Sequence, residues 1–309
     1  MRPAPRINSS ATVIAFIIAV ALGGCGDSGD KREREEPDRK SVFASIVPVE
    51  YFARRIGGRY IDTHSLVEPG GSPATYEPTT KQLAFLARAE AFFIVGVPME
   101  ASLVPRIRSN FESVEIVDVR DGIPLMRPEA GFQSPDGPRA SPNHHHEFDP
   151  HVWLSPRNAG IIAWNICESL VRIDPEHAFE YADNLRELLA DLGSLDAKIA
   201  KLLAPYQGQE LFVFHPAYGH FAQEYGMKQV AIEEGGVTPG SRRLARLIES
   251  ARERGVTAVF VQPQFSSTAA VTVADAICAD VIELDPLAPD YLENLWDMAT
   301  KIQSACENG

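Results

Sequence analysis

From Ser41 onward the chain alternates two kinds of hydrophobic pattern. Short apolar runs rich in β-branched and aromatic residues read as strands at Ser41–Pro48, Tyr60–Val67 and Ala91–Val95. Between them, apolar positions recurring at helical spacing predict helices over Val49–Ile56, Lys81–Arg88 and Glu100–Phe111. Arg120–Asn143 breaks the pattern with five Pro and three Gly among few apolar residues, and reads as a surface loop. Two helices follow, Pro156–Ile173 and Pro175–Leu203, each opened by a proline in the first turn, where the missing N–H is tolerated. At about 1.5 Å per residue the second would exceed roughly 40 Å and could run along two lobes. The alternation then resumes. Strands are expected at Leu211–Phe214, Gln229–Ile232, Ala258–Gln262 and Val281–Leu284. Helices are expected at Ala217–Tyr225, Ser241–Arg254, Ala269–Ala279 and from Tyr291. The expected fold is α/β: two lobes, each with a parallel sheet flanked by helices, joined by one long backbone helix. The implied boundaries are 41–173 for the first lobe, 174–204 for the linking helix and 205–309 for the second.

The segment ahead of Ser41 belongs to neither lobe. Arg2 and Arg6 precede an apolar run, Ala11–Leu22, that is too short to span a bilayer comfortably and reads as a secretory leader over 1–24. Leu22-Gly23-Gly24-Cys25 resembles a lipobox, which implies cleavage before Cys25 and a lipid on its thiol. An ordinary signal peptide or a short anchor helix is the alternative, and each reading places the protein outside the cytoplasm. Residues 25–40 are polar and charged, with too little to bury to offset the entropy of ordering, and are expected to be a tether.

Composition narrows the function by exclusion. Twenty-nine Lys and Arg against 42 Asp and Glu give a net charge of −13, which disfavours nucleic acid and favours cations. Four cysteines without a CxxC pair exclude a disulfide scaffold, leaving one conceivable bridge, Cys278 to Cys306, and Cys167 as a buried apolar residue on a helix. No GxxxxGK phosphate loop and no HExxH motif appear.

Open α/β sheets bind ligands beyond the carboxyl ends of their strands, and three side chains able to hold a metal fall near such places. His215 follows the strand Leu211–Phe214, Asp285 follows Val281–Leu284, and His151 stands in Asp149-Pro150-His151-Val152-Trp153-Leu154 just before a helix. Nitrogen and carboxylate donors of this kind suit a borderline divalent ion such as Zn²⁺. Any one alone is more often structural; their combination carries the signal.

Six ordered stretches resemble the metal-binding receptors of zinc and manganese ABC importers. They are Pro73-x-x-Tyr76-Glu77-Pro78, Val95-Gly96-Val97-Pro98-x-Glu100, Asp149-Pro150-His151-Val152-Trp153-Leu154-x-Pro156, His215-Pro216-Ala217-Tyr218-Gly219-x-Phe221, Val261-Gln262-Pro263-Gln264-Phe265 and Asp285-Pro286-Leu287. The resemblance implies two α/β lobes on one long rigid helix with the metal in the cleft, and its ligands fall on His151, His215 and Asp285. The family's fourth ligand, a histidine, is Ala74 here. Zinc rarely remains three-coordinate in protein, so a water, Glu77 or His220 is expected to complete the shell. Two histidines with one or two carboxylates lean toward manganese or iron, whereas His144-His145-His146, which resembles the His-rich loop of zinc receptors, leans toward zinc. Zinc is the expected cargo and manganese the alternative.

The resemblance further implies a membrane permease and a cytoplasmic ATPase as partners, a lipid-anchored monomer at the periplasm or cell surface, and no enzymatic activity. A zinc-dependent hydrolase, a surface adhesin and a receptor for a metal chelate or corrinoid are the competing classes. Imidazole coordinates only without its proton, so affinity is expected to fall below pH roughly 6.5, the ordinary histidine value.

Overall fold

Among the described residues, eight short strands, all parallel, form two four-stranded sheets. The computed structural model describes residues 39–127, 148–233, 240–265 and 268–308. The leader, Cys25, the tether up to residue 38 and His144-His145-His146 lie outside the described residues.

The first lobe runs β1 (Lys40–Ala44), α1 (Val47–Gly57), β2 (Ile61–Ser65), α2 (Thr80–Leu86), β3 (Ala91–Ile94), α3 (Glu100–Asn110) and β4 (Glu115–Asp118). Its strand order is β2-β1-β3-β4, with Phe43 opposite His64 on one side and Phe92 on the other. The chain steps from β1 out to β2 and returns across β1 to β3. The carboxyl ends of β1 and β3 therefore flank a crevice of the kind where such sheets bind ligands. α2 begins where Thr79 and Gln82 make a reciprocal cap: the Gln82 N–H donates to Thr79 Oγ1 at 3.2 Å, and the Thr79 N–H donates to Gln82 Oε1 at 2.9 Å.

Two long helices follow, α4 (Pro156–Ile173) and α5 (Ala178–Leu203). Ser155 caps α4 by accepting the Asn158 N–H at 3.2 Å. On α5 the buried residues are Tyr181, Leu185, Leu188, Leu192, Leu195, Ile199 and Leu203, a stripe repeating every three or four positions. With 26 residues the helix is about 39 Å long. It packs on α1 and α4 and also on α9 (Tyr291–Glu307), so a single rod meets helices from both halves of the chain.

The second lobe runs β5 (Glu210–Val213), α6 (Gly219–Glu224), β6 (Lys228–Ala231), α7 (Ser241–Glu253), β7 (Ala258–Val261), α8 (Thr268–Ile277) and β8 (Asp280–Glu283), and ends with α9. Its strand order, β6-β5-β7-β8, repeats that of the first lobe, with the switch at β5 and β7. The two-lobed parallel architecture is the one the hydrophobic pattern predicts.

Two local features differ from the pattern. β4 is not announced by the sequence: Ile116 and Val117 stand between two acids, and the strand is a half-buried edge. The conceivable bridge between Cys278 and Cys306 is not formed, because the Cys278 thiol is on the exposed end of α8 at φ 58° while Cys306 lies partly buried on α9. Cys167 is buried on α4, as its position in an apolar face predicts. Among the described residues, no helix is long and apolar enough to cross a membrane.

Candidate metal centre

The carboxyl ends of the second sheet carry a concentrated set of polar side chains. His215 lies two residues beyond β5, Glu233 two beyond β6, Gln262 and Gln264 just beyond β7, and Asp285 two beyond β8. The two central strands, β5 and β7, are largely buried and apolar, and the donor side chains gather where the strands stop.

The His215 backbone is fixed on both sides by one amide. Gln262 Nε2 donates to the His215 carbonyl at 3.0 Å, and the His215 N–H points to Gln262 Oε1 at 3.4 Å. The ring stacks on Phe265, with centroids 4.5 Å apart and planes at 26°. Its Nδ1 lies 3.2 Å from Glu233 Oε2, and the Glu233 side chain is buried.

His151 reaches the same place from the segment before α4. Asp149 Oδ1 accepts both the His151 N–H at 3.0 Å and His151 Nδ1–H at 2.7 Å. Burial works against the Asp149 charge. The adjoining His151 ring, its hydrogen bonds and His220 outweigh that penalty and hold the carboxyl below the ordinary carboxylate range. A Cβ at Gly219 would lie 2.7 Å from Asp149 Oδ2, so α6 can approach this carboxylate only with glycine there. The rings of His151 and His215 stand edge to face, 5.5 Å between centroids. Each has its Nδ1 beside a carboxylate, and a carboxylate can only accept, so when the ring is neutral its proton belongs on Nδ1 and Nε2 keeps the lone pair.

Asp285 is held in a third strand-end loop. Its Oδ1 accepts from Gln264 Nε2 at 2.6 Å and from the Leu287 N–H at 2.9 Å. That loop is tied to the His151 segment through the core. Trp153 Nε1 donates to the Pro286 carbonyl at 2.8 Å, and Tyr291 Oη donates to the Trp153 carbonyl at 2.6 Å. Tyr218 Oη donates to the Leu284 carbonyl at 2.7 Å. All three aromatic side chains are buried, where each of these bonds counts because an unpaired polar group costs more than a pair gains.

The structure therefore brings His151 and His215 together and places Asp285 in the adjoining loop. Among the described residues, no three His, Cys, Asp or Glu side chains close into one metal-holding group. Ala74 and Glu77 are exposed in the loop between β2 and α2. His220 is buried with both ring nitrogens engaged: Nε2–H donates to the Asp149 carbonyl and Nδ1 accepts from Asn158 Nδ2, each at 3.3 Å. Burial depresses this ring below the ordinary histidine value against the pull of Asp149, in keeping with a neutral ring. Its lone pairs are not free for a metal.

Two groups escaped the sequence reading. Glu233 and Gln264 follow strand ends just as His215 and Asp285 do, so the same criterion could have found them.

Two repeated parallel sheets packed with one long helix, and two imidazoles brought together beyond β5 and ahead of α4, define a two-lobed α/β protein with a paired-histidine site. The chain belongs to the ZnuA family, described as zinc-uptake complex component A, periplasmic, whose model matches residues 42–305. The zinc-binding lipoprotein AdcA of Streptococcus pneumoniae (strain ATCC BAA-255 / R6) is 26% identical over 292 residues, covering 94% of this chain and 56% of AdcA. The chain thus spans about half the length of the AdcA proteins it matches. A crystal structure of ZnuA superposes with a TM-score of 0.78 at 32% identity, covering 86% of this chain and 99% of that one. The laminin-binding protein Lmb of Streptococcus agalactiae, at 21% identity and a TM-score of 0.73, covering 86% of this chain and 99% of Lmb, shares the fold.

Proposed function

We propose that this chain is the extracytoplasmic receptor of a metal ABC importer, which captures Zn²⁺ at the strand ends of its second lobe and hands it to a membrane permease driven by a cytoplasmic ATPase. The observation that carries the reading is the His151–His215 pair, 5.5 Å apart, with each Nδ1 beside a buried carboxylate. An imidazole whose proton is held at Nδ1 offers its Nε2 to a metal, and two such nitrogens favour zinc over manganese. Asp285 supplies the third donor by leaving one carboxylate oxygen outside its contacts with Gln264 and Leu287. Water or Glu77 completes the shell in place of the histidine that Ala74 lacks; His220 does not. Cys25 carries the lipid that anchors the receptor, which acts as a monomer. The hydrolase reading is set aside with membership in a family of uptake receptors, and the adhesin reading has no residue-level support.

The test is metal analysis of protein purified without chelators, with competition titrations of the wild type and of His151→Ala, His215→Ala and Asp285→Ala. One equivalent of zinc in the wild type, and weaker binding in each variant, is expected. Wild-type affinity in both histidine variants would remove the basis for the reading.

A further inference from the structure

The Glu233 carboxylate has no part in the three-donor set, yet it is buried at the end of β6. A buried carboxylate is costly unless a donor or a cation offsets its lost hydration. One side-chain partner of this carboxylate is the His215 ring, with Nδ1 3.2 Å from Oε2. We infer that Glu233 is the positioning residue for metal capture: it fixes His215 as the Nδ1–H tautomer, turns Nε2 toward the cleft, and supplies from behind the ring a negative charge that a bound cation requires. This rests on the proposed function and deepens it.

Three observations support the assignment. The ring is already constrained by Phe265 on its face and Gln262 on its backbone, so what remains to be set is which nitrogen keeps the lone pair. The hydrogen bond at one imidazole nitrogen decides that, and a carboxylate there also makes the other nitrogen a stronger donor. His151 has the same arrangement with Asp149 at 2.7 Å, although Asp149 is two residues away in the chain and Glu233 comes from a neighbouring strand. Two unrelated backbone settings thus produce one chemical result. With Asp285 the two carboxylates bring three negative charges to the site of a doubly charged ion, two of them from behind the imidazole rings.

The experiment compares the wild type with Glu233→Gln, Glu233→Leu and His215→Ala. Zinc affinity is read by chelator competition, the His215 tautomer by imidazole ¹⁵N shifts of the metal-free protein, and the donor set by X-ray absorption of the zinc form. Glu233→Leu should bind zinc roughly 10- to 100-fold more weakly with an unchanged number of donors, and His215 should lose its fixed Nδ1–H form. Glu233→Gln keeps an acceptor, so it should keep the tautomer and lose less affinity. Melting curves check that each variant folds. If His215→Ala weakens zinc binding while Glu233→Leu leaves affinity and tautomer unchanged, the positioning role is overturned and the receptor reading stands. Loss of one oxygen donor in Glu233→Leu overturns it too, since Glu233 would then be a ligand. A wild type that binds no zinc overturns both.

Discussion

The two lobes share a strand order and differ in what their strand ends carry. In the second lobe, all four strands end near polar side chains that face one another or their neighbours: His215, Glu233, Gln262 with Gln264, and Asp285. In the first lobe, the acid near the corresponding place turns back on its own backbone. Glu100 accepts the Val95 N–H at 2.9 Å and the Gly96 N–H at 2.7 Å just beyond β3. A Cβ at Gly96, which has φ 85°, would lie 1.9 Å from Arg120 Nη1, so this loop is closed over by its neighbour. One sheet spends its polar groups on self-satisfaction and the other keeps them available. The same topology therefore ends in a self-satisfied loop in one lobe and in a cluster of polar side chains in the other, and the residues beyond the strands decide which.

The strongest way to break this comparison is to cut the join between the halves. Trp153→Ala removes a fully buried indole and its bond to the Pro286 carbonyl, and should cost about 3–5 kcal/mol in urea unfolding. A loss below about 1 kcal/mol would mean that the Asp285 loop is not held through this residue.

Glu100 tests the self-satisfied loop. Burial pushes its carboxyl up to about 7, against the opposing contributions of Ser45, the Val95 and Gly96 N–H groups and Arg120. A folded value above the unfolded one means that the native state binds the extra proton between pH about 4.5 and about 7. Stability from this group is therefore complete at the acid end and is lost as pH rises through about 7, by up to about 3 kcal/mol. Denaturant unfolding of Glu100→Gln between pH 5 and 8 should lack that decline; parallel curves for variant and wild type would contradict it.

For the polar cluster, His215→Ala should weaken zinc binding by roughly 100-fold or more, beyond the range of groups that act only through a ligand. Equal affinity in chelator competition would leave the strand-end set without a metal-binding role. The smallest effect sharpens the contrast: Ala74→His returns a donor to the first lobe. Its expected gain in affinity is roughly tenfold, about 1.4 kcal/mol, because Ala74 is on an exposed turn whose ordering offsets part of the new bond. No gain would mean that the turn does not reach the ion.

Much of the fold was readable because most strands carry a short apolar run rich in β-branched or aromatic residues, while the helices place their apolar residues at helical spacing. α5 shows this well, since its buried stripe from Tyr181 to Leu203 follows directly from helical spacing. β4 was not readable, because a two-residue apolar core at a sheet edge carries too little periodicity to distinguish it from a loop. At the candidate centre, His151, His215 and Asp285 stood out as donor types beside strand ends or a helix start. Glu233 meets the same strand-end criterion, but its pairing with His215, like that of Asp149 with His151, is not written in the spacing.

The alternation of strands and helices, the doubled lobe and the candidate donors His151, His215 and Asp285 are written in local spacing and side-chain chemistry. Only the tertiary structure decided that His151 and His215 meet edge to face, that Glu233 stands behind one ring and Asp149 behind the other, and that His220 is already occupied. Those relations join residues up to 71 positions apart, and chain spacing cannot encode them. They arise when Trp153, Tyr218 and Tyr291 bury their rings in a shared core and must pair their polar atoms with whatever backbone that core brings near.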